Sequence, residues 1–315
     1  MKYRLVTRSD FDGLVCAVLL RHLDVIDEIT FVHPKDVQDG VTQITNRDIL
    51  TNLPYAPDAY MVFDHHHSET LRTGGAAANH VIDVHAPSAA RVVYDHFGGA
   101  ERFPTVSTEL MEAVDRADSA AYDIGDVLHP RGWTLLNFLM DSRTGLGRFR
   151  DFRISNYQLM MQLIDACIDH QEVEDILKLP DVAERADLFR AQSELFADQL
   201  RRVSRLEGDV VIVDLRDEEI IYAGNRFMVY ALFPKARVSI HVIWGRQKLN
   251  TVLAVGKSII DRSSAADIGS VMLRYGGGGH VAAGTCQVPH EESECTIAEV
   301  VAAVGVPAAV AQPAR

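Results

Sequence analysis

The sequence predicts an α/β protein with an N-terminal parallel-sheet domain, a connector helix and a smaller C-terminal mixed α/β domain. Residues 2–7 form a short strand pattern that leads through an acidic turn into an apolar helix at 13–23. Such alternation of strand and helix is typical of a parallel sheet. After Gly208 strand patterns dominate, which indicates a second domain. The 315 residues also exceed what one hydrophobic core usually organises.

The first half continues with three more strand patterns, at residues 28–33, 49–51 and 60–63. A helix is predicted at 88–97, because Ser88 can cap its N-terminus and Gly98-Gly99 can end it. Two further helical patterns follow, at 108–121 and at 155–170, and Ser155 and Asn156 are candidate N-terminal caps of the second.

A long helix is predicted at residues 181–206, where apolar residues recur every seven positions: Val182, Phe189, Phe196 and Val203. One interpretation is a connector packed on one side, and the alternative is the seam of a homodimer. The domain limits that follow are 1–180 for the first domain, 181–207 for the connector, 208–308 for the second domain and 309–315 for a tail.

The second domain begins with strand patterns at residues 210–213, 220–222, 238–244 and 251–255. A helix is predicted near 265–275, and a run of four glycines follows it. The order of these elements predicts a mixed sheet.

The composition indicates a well-packed protein without a broad basic surface. The chain has 31 basic and 44 acidic residues and a formal net charge of −13, which argues against nonspecific binding to duplex nucleic acid. Its four cysteines lack the spacing of a zinc knuckle or a disulfide framework. No apolar stretch has the length of a membrane span, and the first residues resemble a strand, not a signal peptide. We therefore expect a cytoplasmic protein with no membrane partner.

A carboxylate and three imidazoles stand in a row at Asp64, His65, His66 and His67, directly after the apolar run at 60–63. Strand ends deliver side chains to the edge of a sheet, where open α/β folds bind their ligands. Carboxylate and imidazole together suit a divalent transition ion. The alternative interpretation is a solvated loop, but the run follows a strand and does not lie in a polar tract.

Two other acidic clusters are expected near strand or helix ends. Asp10 and Asp12 alternate in the turn after the first strand, and Asp115 and Asp118 lie near the end of an apolar helix. Each cluster alone is also typical of an ordinary turn or a solvated helix face. Together with the histidine run they match the ligand types that a metal-dependent hydrolase needs.

The glycine run at residues 276–279 is followed by His280 and preceded by Arg262. Glycines allow backbone amides to approach an anion, and a guanidinium offers a planar fork to phosphate. A phosphate-binding loop and a merely flexible loop both fit this pattern.

The order of these motifs resembles the DHH phosphoesterase superfamily with its DHH-associated C-terminal domain: Asp10-x-Asp12-Gly13, Asp64-His65-His66, Asp118, then the glycine run with His280 and Gly284. The match spans nearly the whole chain. Members include RecJ-type exonucleases, nanoRNases, cyclic-dinucleotide phosphodiesterases and exopolyphosphatase-related proteins. The resemblance implies a metal-dependent phosphohydrolase with one or two divalent ions, manganese being the expected metal.

The resemblance also implies roles for individual residues. The implied metal ligands are Asp10, Asp12, Asp64, His65 and Asp118. The implied catalytic residues, which orient the attacking water or face the phosphate, are Asp12, Asp64 and His66. The implied substrate-binding residues of the second domain are Arg262, Gly277, Gly278, Gly279 and His280.

Three positions depart from the family pattern. Arg8 and its neighbours stand where many relatives have a histidine that binds the first metal. Asn52 stands where a bridging aspartate is expected, and Asp48 lies at the other end of the same short strand. His67 is an additional imidazole that would compensate for the missing one. Asn52, Asp48 and His67 are therefore secondary ligand candidates, and both a one-metal and a two-metal site stay open.

The substrate is predicted from a basic and aromatic segment at residues 141–153, which contains Arg143, Arg148, Arg150 and Arg153. Such a segment can hold phosphates and stack a base, or it can pair with nearby acids. Because no long basic track exists, we expect a short substrate: a short single-stranded oligonucleotide, a nucleotide bisphosphate, or a cyclic or linear dinucleotide. The alternatives are an exopolyphosphatase and a nucleotide-binding protein with weakened catalysis.

Overall fold

The computed structural model describes residues 2–73, 77–149, 151–169 and 172–305, so the predicted tail at 309–315 lies outside the described residues. The chain divides into two compact units. The first contains Met1–Ala121 and Pro130–Leu188, and the second contains Tyr122–His129 and Phe189–Arg315. In the described part of the chain, no helix is both long and apolar enough to cross a membrane.

The first unit contains a sheet of five strands: β1 (Tyr3–Thr7), β2 (Ile26–Phe31), β3 (Asp48–Thr51), β4 (Met61–Asp64) and β5 (His80–Ile82). Their order is β2-β1-β3-β4-β5, and all neighbouring strands are parallel. The predicted parallel α/β fold is therefore confirmed. Because the strands share one direction, the residues that follow β1, β3 and β4 lie at the same edge, which we call the carboxyl edge.

Helices complete the first unit: α1 (Phe11–His22), α2 (Pro34–Gln38), α3 (His67–Thr73), α4 (Ala89–His96), α5 (Thr108–Asp118), α7 (Gly132–Met140), α8 (Asn156–Ile168) and α9 (Val173–Ile176). The central helix is α1, which contacts α4, α5 and α8 and buries every residue from Phe11 to Leu20. Ser88 and Ser155 cap α4 and α8 as predicted, through hydrogen bonds to backbone amides in the first turn. The helix predicted to reach residue 121 ends at Asp118.

The second unit contains a mixed sheet of six strands: β6 (Ser204–Glu207), β7 (Val210–Asp214), β8 (Val238–Trp244), β9 (Thr251–Lys257), β10 (Gly278–His280) and β11 (Ala283–Val288). Their order is β10-β11-β9-β8-β7-β6, with only the β7 and β8 pair parallel. Its helices are α6 (Ile124–Leu128), α11 (Met228–Leu232), α12 (Ile268–Leu273) and α13 (Ser293–Val304). The core lies between the sheet and α12 and α13.

The long helix is α10 (Pro180–Val203), and the boundary between the two units falls within it. Val182, Phe189 and Phe196 of the predicted stripe are buried inside a single chain. Phe196 packs directly on Gly224, where a Cβ would lie 1.9 Å from the ring. This burial favours a connector that packs within the chain.

Two predicted elements of the second unit are wrong. The helix expected to reach residue 206 ends at Val203, because residues 204–207 pair with β7 as strand β6. The strand expected at 220–222 is absent, since Gln199 of α10 bonds to this backbone instead of a neighbouring strand. Its amide nitrogen donates to the Ile220 carbonyl at 2.7 Å, and its amide oxygen accepts from the Tyr222 amide at 3.1 Å.

Candidate metal and active site

The turn between β1 and α1 places two carboxylates at the carboxyl edge. Asp10 caps α1, where its Oδ1 accepts a hydrogen bond of 3.0 Å from the Gly13 amide. Gly13 has to be a glycine, because a Cβ there would lie 2.1 Å from the Arg8 carbonyl oxygen. Asp12 follows in the first turn of the helix. The Asp-x-Asp-Gly pattern therefore builds a tight turn that holds both carboxylates close together.

Asp12 is buried and is bound by the first turn of α4. Its two carboxylate oxygens accept hydrogen bonds of 2.8 Å from the Ala90 amide and 3.1 Å from the Ala89 amide. Burial, together with the negative charges of Asp118 and Asp10, raises the pKa of Asp12 well above its usual value. The protein thus compensates the charge of Asp12 only in part, and a cation would compensate the rest.

Among the residues that the structure describes, one group of acidic and imidazole side chains is compact enough to hold a metal ion: Asp12, His65 and Asp118. One ligand atom from each lies within 4.8 Å of the other two. His65 follows β4, and Asp118 is the last residue of α5. Three protein ligands of mixed carboxylate and imidazole type suit a divalent transition ion and leave positions for water or substrate.

The ring of His65 is oriented for this role. Its Nδ1 lies 3.2 Å from the Ala86 carbonyl oxygen, which is the usual way to fix a metal-binding imidazole. Its Nε2 lies 2.8 Å from Asp118 Oδ2, but in an orientation that makes no hydrogen bond. Burial disfavours the charged imidazole, yet the carboxylates of Asp118, Asp12 and Asp64 raise the pKa of His65 to about 9. The same negative field would attract a metal cation.

At this edge, two more buried oxygens lack a hydrogen-bond partner among the described residues: Asp64 Oδ2 and Asn52 Oδ1. Buried acceptors are normally paired, and an unpaired one is costly. Together with His65 Nε2 they are three buried atoms that can all bind a cation. The residues present at this edge therefore fit a divalent ion.

The rest of the histidine run divides into a buried and an exposed part. Asp64 is fully buried at the end of β4, and its Oδ1 lies 2.7 Å from Nδ1 of His66. The His66 side chain is 42% exposed, so the carboxylate orients an imidazole that reaches the surface. His67 begins α3, is exposed and lies outside the compact metal group.

Asn52 and Arg8 both contact Asp10. Asn52 has a φ of 55°, a left-handed conformation that Asn and Asp adopt more readily than other residues. Its Nδ2 lies 3.3 Å and 3.4 Å from the two carboxylate oxygens of Asp10. Arg8 Nε lies 3.1 Å from Asp10 Oδ2. Burial raises the pKa of Asp10, although Arg8 opposes this shift.

Asp48, the other secondary ligand candidate, lies at the opposite edge of the sheet, which we call the amino edge. The register of β1 and β3 pairs it with Arg4, which donates hydrogen bonds of 2.7 Å and 2.8 Å to its carboxylate. The amide and hydroxyl of Thr45 also donate to it, at 2.7 Å and 3.1 Å. The prediction of Asp48 as a metal ligand is therefore wrong, because its oxygens serve this internal network.

Arg143 belongs to the basic segment and has an electrostatic link to the site. Its Nε donates a hydrogen bond of 2.7 Å to Asp141 Oδ1, and the side chain is 55% exposed. Its charge opposes the upward shift in the pKa of Asp10. Arg143 therefore lies within electrostatic range of the carboxyl edge.

Two further arginines of this segment lie within the described residues. Arg148 is exposed, and its guanidinium packs over Gly145, where a Cβ would lie 2.3 Å from Nη1. Arg153 lies 3.7 Å from Asp181, as the alternative of pairing with nearby acids predicts. Arg150 lies outside the described residues.

In the second unit, the glycine run forms a hairpin. A Cβ at Gly277 would lie 2.1 Å from the Thr285 carbonyl oxygen, and one at Gly279, with φ of 157°, would lie 2.3 Å from that of Ala283. These glycines allow β10 to pack closely on β11. The Gly277 amide donates to the Met272 carbonyl at 3.0 Å, so its predicted role as an amide donor to substrate is wrong.

Arg262 and His280 are both exposed on the second unit. Arg262 Nε donates a hydrogen bond of 3.1 Å to the Ile259 carbonyl. The Ala282 amide donates to Nδ1 of His280 at 3.2 Å, which orients the ring.

The amides of Ala89 and Ala90 and the carbonyl of Ala86 are site groups that the sequence analysis did not identify. They are backbone groups, so no side-chain pattern marks them. The one signal was Ser88, since a predicted helix start also predicts amides that point at an anion.

Comparisons with known proteins find solved structures that are similar to this chain. No protein-family model and no curated protein matches the sequence. A solved structure of PggH, a pGpG-specific phosphodiesterase from Vibrio cholerae, is 55% identical over 96% of this chain and 99% of that chain, with a TM-score of 0.85. RecJ from Thermus thermophilus, solved in complex with Mn²⁺, is 13% identical over 96% of this chain and 51% of that chain, with a TM-score of 0.54. The likeness to RecJ extends to the fold alone.

The 55% identity to PggH shows that the chain belongs to the family that its motifs indicate. The parallel sheet of the first unit and the mixed sheet of the second are those of a DHH domain and its DHH-associated domain. The chain therefore belongs to the DHH superfamily of phosphoesterases and is a hydrolytic phosphodiesterase of short phosphorylated substrates.

Proposed function

We propose that this chain hydrolyses the linear dinucleotide pGpG to two molecules of GMP. The observation that carries the proposal is the compact group of Asp12, His65 and Asp118 in a chain that is 55% identical to a pGpG-specific phosphodiesterase. Water adds to the bridging phosphorus, the bond to the 3′ oxygen breaks, and that oxygen gains a proton. Both products are then 5′-mononucleotides.

We propose that Asp12, His65 and Asp118 hold a divalent ion, and that manganese is the preferred metal. When bound, the ion supplies Lewis-acid stabilisation of phosphoryl oxygens and lowers the pKa of water, so that water loses a proton more readily as it attacks. Asp64 supports the site through its buried, unpaired Oδ2. Asp12 is held by the amides of α4, so its carboxylate is already oriented before substrate binds.

The partly exposed ring of His66 is the proposed contact to the phosphate. The carboxylate of Asp64, 2.7 Å from Nδ1, orients the ring and leaves Nε2 for the substrate; only a ring protonated on both nitrogens would donate a proton from Nε2 to a phosphoryl or leaving oxygen. Arg143 adds positive charge near the same edge. In the second unit we propose that Arg262 and His280, with the backbone at Gly278 and Gly279, bind a nucleotide phosphate.

We further propose a cytoplasmic location. Its support is the state of the cysteines: all four are free thiols, and Cys295 is exposed. The homodimer that the spacing in α10 suggested would need another surface, since Val182, Phe189 and Phe196 of that stripe are buried within one chain.

The test is a substrate panel with purified protein and Mn²⁺, analysed by chromatography of the products. The panel contains pGpG, other linear dinucleotides, cyclic di-GMP, adenosine 3′,5′-bisphosphate and polyphosphate. We expect GMP from pGpG at the highest kcat/KM. Hydrolysis of polyphosphate alone would overturn the proposal, and so would thermal stabilisation by pGpG without any product, which would identify a binding protein.

A further inference from the structure

Asp10 differs from the other carboxylates of the site because protein donors surround it. Oδ1 accepts from the Gly13 amide at 3.0 Å, and the Asn52 amide nitrogen lies 3.3 Å and 3.4 Å from the two oxygens. Arg8 Nε lies 3.1 Å from Oδ2. A carboxylate held by an amide, a carboxamide and a guanidinium has little need of a metal ion.

The carboxylates at this edge differ in their partners. Asp10 pairs with Arg8 at 3.1 Å, whereas Asp12 and Asp118 lie beside His65 in the compact metal group. Two carboxylates and one imidazole match the requirement of one divalent ion. A second ion on Asp10 would lie beside the Arg8 guanidinium and would be repelled by it.

Asn52 strengthens this division. Its buried side chain turns Nδ2 toward Asp10, so it presents a donor to the oxygens that a second ion would have to bind. Its Oδ1 is buried and has no hydrogen-bond partner in the described structure, but a neutral carbonyl adds no negative charge. An aspartate at this position would supply the missing charge.

The Arg8 side chain is 34% exposed while it pairs with Asp10. A guanidinium carries five donors on a planar frame, so one edge can face a carboxylate and the other a phosphate. Arg8 is therefore suited to contact a substrate phosphate next to the metal group.

We propose that the site binds one divalent ion, on Asp12, His65 and Asp118, and that Arg8 takes the place of a second cation by neutralising Asp10 and contacting a substrate phosphate. The phosphate contact rests on the proposed function, whereas the number of ions does not.

The ion number is measured on metal-stripped protein titrated with Mn²⁺, by elemental analysis after desalting and by electron paramagnetic resonance. We expect one ion per wild-type chain and no spectral signature of coupled Mn²⁺ pairs. Two tightly bound ions in the wild type would overturn the proposal.

The variants Asn52→Asp and Arg8→Ala/Asn52→Asp test whether Arg8 and Asn52 limit the site to one ion. Each adds a carboxylate, and the double variant also removes the competing cation, so we expect the double variant to bind two ions. Aspartate tolerates the left-handed backbone at position 52, so the single variant is the fallback if the double variant does not fold, and it should bind a weaker second ion. A folded variant that still binds only one ion would overturn the proposal. Arg47→Ala, on the amino edge, is the matched control and should leave the count at one.

The phosphate contact is tested by kinetics with pGpG. Arg8→Ala should raise KM roughly 10- to 100-fold, the usual loss for a hydrogen bond to a charged group. Arg8→Lys should fall between the wild type and Arg8→Ala, because it keeps the charge and loses the fork. An unchanged KM would overturn the contact. A wild type that binds one ion but does not hydrolyse pGpG would refute the proposed substrate and leave the ion number standing.

Discussion

The two edges of the first sheet carry carboxylates in opposite conditions. At the amino edge, Arg4 and Thr45 surround Asp48 with hydrogen bonds. Burial alone would raise the pKa of Asp48, but these bonds hold it below its usual value. At the carboxyl edge, burial and neighbouring carboxylates raise the pKa of Asp12 well above its usual value. Both carboxylates are buried, so the difference lies in their partners.

This difference separates a structural carboxylate from a functional one. A buried charge that the protein compensates contributes to folding, whereas a buried charge that it leaves uncompensated disfavours folding until a ligand binds. An open groove near the amino edge, lined in part by Arg4, Arg47 and Asp48, offers charged groups that already have partners. The carboxyl edge is therefore where a cation would gain most.

The largest predicted effect comes from removing one metal ligand. His65→Ala and Asp118→Asn should each reduce kcat/KM for pGpG by at least about 100-fold, since even the partners of metal ligands have effects of 10- to 100-fold. In EDTA, Asp118→Asn should lower the urea midpoint less than Asp115→Asn does, because the lost contact with His65 is offset by relief of the repulsion between Asp118 and Asp12. Steady-state kinetics and urea titration in EDTA provide both measurements.

The control is Asp115→Asn, three residues earlier in α5, whose carboxylate pairs with Arg91 outside the metal group. It should retain activity. If Asp118→Asn kept full turnover, or if it lost stability as Asp115→Asn does, Asp118 would be a structural residue.

The second prediction reverses this pattern at the amino edge. Asp48→Asn should lower the free energy of unfolding by about 1–3 kcal/mol, because Arg4 loses a charged hydrogen-bond partner. Activity per folded molecule should not change. Urea unfolding and kcat measured well below the unfolding midpoint test these two statements.

Asp39→Asn provides the comparison, since Asp39 forms an exposed pair with Lys35 and should change stability by less than about 0.5 kcal/mol. A loss of activity in Asp48→Asn as large as that in Asp118→Asn would remove the distinction between the edges.

The third prediction concerns pH. The folded-state pKa of Asp48 lies below its unfolded value of about 3.9. Its contribution to stability is therefore fully present above that unfolded value, and it is lost as pH falls through the folded pKa. The stability difference between wild type and Asp48→Asn should be constant from pH 7 to about pH 5 and should shrink below pH 4. A difference that persists unchanged at pH 3 would contradict this assignment.

The contrast between the edges also shows what the sequence can predict. The sequence places Asp12, His65 and Asp118 near strand or helix ends, which a parallel sheet gathers at one edge, and the family resemblance implies them as ligands. Their binding of a metal stays a prediction. The prediction of Asp48 as a ligand failed because Asp48 lies at the amino end of the four-residue strand β3, away from the metal group. The sequence does not show that Arg4 lies opposite Asp48 on the neighbouring strand.

Other errors also arose from contacts distant in sequence. Gln199 forms hydrogen bonds with the backbone of residues 220 and 222, which a strand would otherwise use. Gly277 was predicted to bind an anion, but it is a glycine because the Thr285 carbonyl oxygen lies too close for a Cβ. Local patterns predict where elements begin, as at Ser88 and Ser155, but not which distant group takes their hydrogen bonds.

The smallest predicted effect lies beside the largest in the sequence. His67 is exposed and begins α3, whereas His65 is oriented by the Ala86 carbonyl and lies next to Asp118. His67→Ala should therefore change the free energy of unfolding and the activation free energy by less than about 0.5 kcal/mol each, the usual range for a surface substitution. Kinetics at several Mn²⁺ concentrations would test this, because a ligand that binds only weakly would reveal itself as a higher metal requirement. A tenfold rise in the Mn²⁺ concentration needed for half-maximal activity would contradict this prediction. It would show that His67, the first residue of α3, belongs to the metal site at the carboxyl edge.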